Sequence, residues 1–336
     1  DEAHDQDHPA SIASNVGYSS LNNDFRPKRE SLKNGMDSRA SVQSTQAGRI
    51  ETIIREPVEC DFKVPYFRID QIRSLAIDQW DMEDHASLLR VAIEAAETAA
   101  VPLKEVVSGY RKVHMEDSHD VKLQADLESE RRIRAFLRER TDYPIIGEEE
   151  GGDPGLLERK DPYWVVDPLD GTFNYQRSIP HCCVSIALMR GRDALVGAVL
   201  DFNRNELFTG GEGLPFCING QPHTPKWADS IGKACLCTGF PHEMDRSDAS
   251  VKAFFHKLFQ YKKVRMIGTA ALSVSYVGAG YYDAYYETGV RLWDIAAGIA
   301  FARSTGAHIE LKDWPGNTLT FDFWMAGKPG FVYPPA

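Results

Sequence analysis

Asp167 and Asp170 stand three residues apart in Asp167-Pro168-Leu169-Asp170-Gly171-Thr172, directly after the apolar run Trp164-Val165-Val166. Across a turn begun by Pro168, carboxylates at that spacing can face one point. Gly171 and Thr172 then offer backbone N–H groups and a hydroxyl to the same point. Acids beside anion-binding amides make chemical sense when a hard cation sits between them. An Asx-turn with a proline would explain one aspartate and the glycine, but not the whole run. The expected chemistry is the metal end of a phosphate-cleaving site.

Three further runs belong with this one. Gly147-Glu148-Glu149-Glu150-Gly151-Gly152 follows the strand-like Pro144-Ile145-Ile146. Alone it reads as a solvated turn, yet a strand ending in carboxylates also presents hard ligands. In Trp293-Asp294-Ile295-Ala296-Ala297-Gly298, Asp294 takes the place of a helix N-cap. The positive end of that helix favours a nearby phosphate. In Ile267-Gly268-Thr269-Ala270-Ala271 a strand ends, Thr269 caps a helix, and small side chains leave room for a ligand.

The elements that carry these runs follow from periodicity. A helix is expected from Met82 to about Gly109, with Leu88, Val91, Ala92, Ala95, Ala96 and Ala99 on one face. A second is expected over about 124–140, with Leu127, Ile133, Phe136 and Leu137 inward and Arg131, Arg134 and Arg138 outward. Strand signals follow at 144–146, 163–166, 183–189, 194–201 and 205–209, a largely antiparallel meander. Gly210-Gly211-Glu212-Gly213 and Asn219-Gly220 punctuate it as turns. Beyond about residue 225, strands at 234–238, 264–267 and 284–287 alternate with helices at 248–260, 269–279 and 294–305, an α/β pattern.

The totals bound the rest. The chain has 336 residues, 43% of them hydrophobic, enough for one large domain or two medium ones. Its net charge of −11 disfavours nucleic acid or an anionic membrane as partner and suits cations. The six cysteines form no Cys-x-x-Cys pair, which fits reduced core thiols and a cytoplasmic compartment. No apolar run approaches the ~20 residues that span a bilayer. The chain begins with Asp1 rather than Met, which leaves a removed leader open. Residues 1–62 are rich in Ser, Asn, Asp, Arg and Gln and are expected to be a disordered extension. The expected halves are 63–225, with the metal motifs, and 226–336, with the pocket motifs. The ten histidines show no zinc-type spacing. Arg291, four after Glu287, is either a surface charge or a contact to a second anionic or hydroxyl group.

Together, GEE (147–149), DPLDGTFNY (167–175), GTAA (268–271) and WDIAAG (293–298) resemble the inositol monophosphatase family, within the magnesium-dependent, lithium-sensitive sugar and nucleotide phosphatases. The resemblance covers about residues 82–330. It implies an α/β (α+β) fold, a layered αβαβα sandwich of the sugar-phosphatase type. It implies two Mg²⁺, with a third, weaker ion near Glu148 through waters. Glu148, Asp167 and the backbone carbonyl of Leu169 would hold the first ion. Asp167, Asp170 and Asp294 would hold the second. Gly171 and Thr172 would give amides to the phosphate. The Thr172 hydroxyl, with Asp126 behind it, would help take the proton of the attacking water. Gly268, Thr269 and Ala270 would line the sugar pocket, and Glu287 would hold substrate hydroxyls. Gln124 departs from the family, which usually carries a small hydroxyl residue two before Asp126.

The implied activity is a Mg²⁺-dependent phosphomonoesterase, an inositol-phosphate phosphatase, using direct attack by a metal-activated water. The substrate would be a small polyol or sugar phosphate such as inositol monophosphate. Histidinol phosphate, fructose 1,6-bisphosphate and 3′-phosphoadenosine 5′-phosphate are alternatives, because relatives handle them. A non-catalytic phosphate- or metal-binding module is the competing class. The resemblance also allows a homodimer, for which the residues themselves offer nothing.

Overall fold

The computed structural model describes residues 85–104, 113–116, 121–240 and 247–331. The expected extension over 1–62 and residues 63–84 of the first expected half lie outside the described residues, as do Cys60, His4, His8 and His242. So do the two ends, at Met82 and Gly109, of the first expected helix.

A short antiparallel pair, β1 (Val113–Glu116) and β2 (Val121–Leu123), is separate from the two larger sheets. Seven strands then form one sheet in simple chain order: β3 (Ile145–Gly147), β4 (Pro162–Asp170), β5 (Cys183–Arg190), β6 (Asp193–Asp201), β7 (Glu206–Gly211), β8 (Leu214–Ile218) and β9 (Gln221–Pro222). Only β3 and β4 are parallel. The second sheet contains β10 (Cys235–Thr238), β11 (Lys263–Arg265), β12 (Ala284–Arg291), β13 (His308–Trp314) and β14 (Asn317–Ala326). Its order is β11-β10-β12-β14-β13, with β10 parallel to both neighbours.

Among the described residues six α-helices complete five layers: α1 (His85–Lys104), α2 (Gln124–Arg138), α3 (Thr172–Gln176), α4 (Asp248–Leu258), α5 (Ala270–Gly278) and α6 (Leu292–Thr305). The alternation along each strand decides which layer it meets. Trp164, Val166, Ile186 and Leu188 point to α1 and α2, against Ala92, Ala95, Ala99 and Ile133. Tyr163, Val165, Ala187 and Met189 point the other way, into a core filled by α5 and α6. That core is closed by Tyr285, Phe321, Phe323 and Met325 of the second sheet. On the outer face of that sheet, α4 sets Phe254 and Leu258 against Leu236, Ala284 and Trp324. The expected mixed α/β sandwich is the observed one.

Several local expectations change. Gly210 and Gly211 lie inside β7 rather than in a turn. Gly210 is small because the sheet meets α6 there, where a Cβ would come within 2.6 Å of Ser304 Oγ, and a Cβ on Gly211 would press on the Leu195 carbonyl of β6. Gly197 faces the same helix, where a Cβ would stand 2.9 Å from Ala297 Cα. Gly197→Ala is therefore expected to cost about 1–3 kcal/mol through overpacking. A lowered urea midpoint would register it; an unchanged midpoint would mean that α6 can move away. Beyond the last expected helix, which ends at 305, the chain forms the antiparallel pair β13–β14, in which Leu319, Phe321, Phe323 and Met325 alternate. Arg134, expected outward, is buried. The five described cysteines, Cys182, Cys183, Cys217, Cys235 and Cys237, are free thiols. Among the described residues no helix is long and apolar enough to cross a membrane.

Candidate metal centre and substrate cavity

Asp167 and Asp170 both lie on β4, not on a turn after it. An odd spacing would normally send the two side chains to opposite faces of a strand. A bulge resolves this. Asp167 pairs with Ser185 and Asp170 with Cys183, so three steps on β4 match two on β5. The extra residue re-aims the second acid. Pro168, which lacks an N–H, suits a break in the ladder. Asp167 Oδ1 accepts the Leu169 amide at 3.0 Å, and the Thr172 hydroxyl donates to the Leu169 carbonyl at 3.0 Å. Gly171 then turns the chain at φ +87°, where a Cβ would stand 2.7 Å from the His181 carbonyl oxygen. Only glycine fits that left-handed, crowded position. It opens α3, which no side chain caps.

Asp294 arrives from the second half of the chain. It is not the N-cap of α6; Arg291 occupies that place, and Asp294 is the third helical residue. Its Oδ2 accepts the Arg291 amide at 3.1 Å, as an acid at that position of a helix start does. Nearby, Ser185 donates to the Trp293 carbonyl at 3.4 Å and ties the start of α6 to β5. Arg291 itself donates to Thr320 at 2.7 Å.

One oxygen each from Asp167, Asp170 and Asp294 lies within 4.8 Å of the others. Asp167 and Asp170 are buried and Asp294 is half-buried. Burial pushes the Asp167 carboxyl well above its usual range, and the charges of Glu148, Asp170 and Asp294 push it further. Asp294 is raised well above its range by burial, then by Asp170 and Glu148. Glu148 is thus electrically part of the group, although it falls outside the 4.8 Å set. Asp170 is raised by burial, against the stabilising hydrogen bonds it receives. Its Oδ2 accepts from the Thr269 hydroxyl and from the Ala271 amide, the latter at 2.7 Å.

Buried acids that repel one another form a poor site for nothing. All-oxygen, anionic donors fit a hard divalent cation, which would stabilise the ionised forms and reverse these shifts.

Beside the acids lies a cavity of about 290 Å³, lined by Asp170, Asp294, Gly268, Thr269, Ala270 and Glu287, together with Thr238–Phe240 and Ser273. Four of the expected substrate residues therefore share one wall system with two of the acids. Thr269 does more than line it: besides holding Asp170, it caps α5 by accepting the Leu272 amide at 3.3 Å. Glu287 is raised to about 7, first by burial, while the Tyr285 hydroxyl donating at 2.5 Å opposes the rise. Gly171 and Thr172 are not among the lining residues. Asp126 is buried in the first turn of α2.

Two positioning groups escaped the sequence reading. Asn174 donates to the carbonyls of His181 and Ile267, each at 2.8 Å, and clamps the Gly268 turn to the Asp170 segment. The signal was its place inside DPLDGTFNY. The other group is the pair Glu130 and Arg134 on α2, joined at 2.7 Å. Asp126, Glu130 and Arg134 recur every four residues along one helix face, which was the available signal.

The sequence model of the inositol monophosphatase family matches residues 84–323. This chain belongs to that family. Among proteins similar to it, the Nus factor SuhB of Pasteurella multocida is 37% identical over 255 residues, covering 73% of this chain and 92% of that protein. The Nus factor SuhB of Xylella fastidiosa is 33% identical over 225 residues, covering 66% and 80% respectively. A solved inositol monophosphatase from Anabaena (Nostoc) superposes with a TM-score of 0.61 at 30% identity, covering 72% of this chain and 91% of that one. Family membership favours a phosphatase over a non-catalytic module. The expected absence of a nucleic-acid partner is not carried forward. It rested on net charge alone, and relatives named Nus factor give it no support.

Proposed function

We propose that the chain is a Mg²⁺-dependent phosphomonoesterase for a small polyol or sugar monophosphate, inositol monophosphate being the representative substrate. The observation that carries this reading is the set of three aspartates, two of which, Asp170 and Asp294, line a polar cavity shared with Glu287. Asp167, Asp170 and Asp294, with Glu148 and the Leu169 carbonyl, would hold the cation or cations. Bound there, Mg²⁺ offsets the charge of a phosphate dianion and of the departing alkoxide and acidifies a coordinated water.

The other roles belong to the chain's own groups. Gly171 and Thr172 turn their amides to phosphate oxygens. Thr172 and Asp126 form the route by which the proton of the attacking water leaves. Gly268, Thr269 and Ala270 shape the space for the alcohol. Glu287, poised near neutrality, accepts a substrate hydroxyl when ionised and donates to one when protonated. None of the described residues that line the cavity is basic, and the Arg291 side chain is engaged by Thr320. Among the described residues a second phosphate would find no cation in the cavity wall, which ranks monophosphates above fructose 1,6-bisphosphate and 3′-phosphoadenosine 5′-phosphate.

Phosphate release from myo-inositol 1-phosphate tests the proposal. Turnover should require Mg²⁺ and stop on chelation. Folded protein that hydrolyses no member of a broad phosphomonoester panel in Mg²⁺ would contradict it.

A further inference from the structure

Glu148 sits on the loop after β3, and loops hold ligands less precisely than strands or helices do. Its backbone is fixed from both sides. The Glu148 amide donates to the Val166 carbonyl at 3.3 Å, one residue before Asp167. The next two amides, of Glu149 and Glu150, donate to the Glu130 carboxylate at 2.7 and 3.1 Å. Arg134 donates to Glu130 at 2.7 Å and to the Gly151 carbonyl at 2.6 Å. Gly147 leaves room for this arrangement: a Cβ there would stand 2.2 Å from Glu130 Oε1.

The Glu130 side chain is wholly buried and that of Arg134 is 6% exposed. A buried ion pair is a weak source of stability, because desolvation offsets much of its attraction. Here, however, the pair spends its hydrogen-bonding capacity on three consecutive residues, Glu149 to Gly151, immediately after Glu148. We infer that Glu130 and Arg134 are positioning residues that hold the Glu148 carboxylate against the three-aspartate group, and so tune the affinity of the cation it shares. The inference rests on the metal reading given above. Groups that orient metal ligands typically change affinity about 10- to 100-fold when altered.

Mg²⁺ binding to the full chain, measured by calorimetry, tests this without any assay of activity. E130Q keeps the shape of the side chain but removes its charge and one acceptor. It should weaken Mg²⁺ binding about 10- to 100-fold. If Glu130 acts through Glu148, the double variant E148Q/E130Q should bind no more weakly than E148Q alone. A purely structural role for Glu130 would instead add its loss to that of E148Q. R134K supplies a second route, should E130Q fail to fold. A lysine can pair with Glu130 but cannot span to the Gly151 carbonyl with the same planar fork, so affinity should again fall about 10-fold. Folded E130Q or R134K with wild-type affinity, or a double variant about 10-fold weaker than E148Q, would overturn the inference while leaving the metal reading intact. Wild-type protein that binds no Mg²⁺ would overturn the metal reading itself.

Discussion

Asp167→Asn should abolish turnover and, in the metal-free protein, raise the melting temperature. Asp167 is the buried acid on which Glu148, Asp170 and Asp294 all act unfavourably. Removing its charge relieves that repulsion and one desolvation cost together. The midpoint of the chelated protein should then rise by on the order of 2–4 °C for each kcal/mol recovered. Turnover should fall about 1,000-fold or more, the loss of roughly 4 kcal/mol of charge stabilisation in the transition state. A variant that loses activity through misfolding would melt lower, so the paired outcome separates a site effect from a fold defect. Retained activity, or a lower midpoint in chelator, would count against the assigned role.

The stabilisation conferred by Mg²⁺ should grow as pH rises. In the metal-free protein Asp167, Asp170 and Asp294 hold their protons more tightly folded than unfolded. Their contribution is therefore fully present below the ordinary value of 3.8 and is lost as pH climbs through the raised values. Glu287 acts in the same direction between 4.5 and about 7. A bound cation needs the ionised carboxylates and displaces those protons, so binding itself strengthens with pH. At about 100 times the dissociation constant the gain should reach about 2.7 kcal/mol. Melting curves at about pH 5 and about pH 8, with and without Mg²⁺, read the difference directly. A gain that stays constant or shrinks between those conditions would show that these acids are not the ones that bind.

What could be read in the sequence was local. Asp167 and Asp170 stood out because a strand signal, a proline and a glycine surround them within six residues. Thr269 was legible as a cap for the same reason. The bulge that turns both aspartates to one side was not legible, because it exists only in the pairing of β4 with β5. Asp294 was assigned to the helix start, but its position in the first turn depends on Leu292 and Trp293 already being helical. Arg134 was placed outward with Arg131 and Arg138, since periodicity alone groups the arginines of one helix. Its burial comes from Gly151, 17 residues further on, whose carbonyl it holds. A similar distance along the chain hid Glu130, which accepts the Glu149 and Glu150 amides as well as the Arg134 side chain. The alternation of Leu319, Phe321, Phe323 and Met325 in β14 is itself a local signal, legible without the fold.

Anomalous diffraction from crystals soaked with Mn²⁺ would examine the metal centre most directly, since Mn²⁺ accepts the same oxygen donors as Mg²⁺. A peak touching carboxylate oxygens of Asp167, Asp170 and Asp294 together is the expected result. Saturating Mn²⁺ with no peak among those three side chains would contradict the proposed centre.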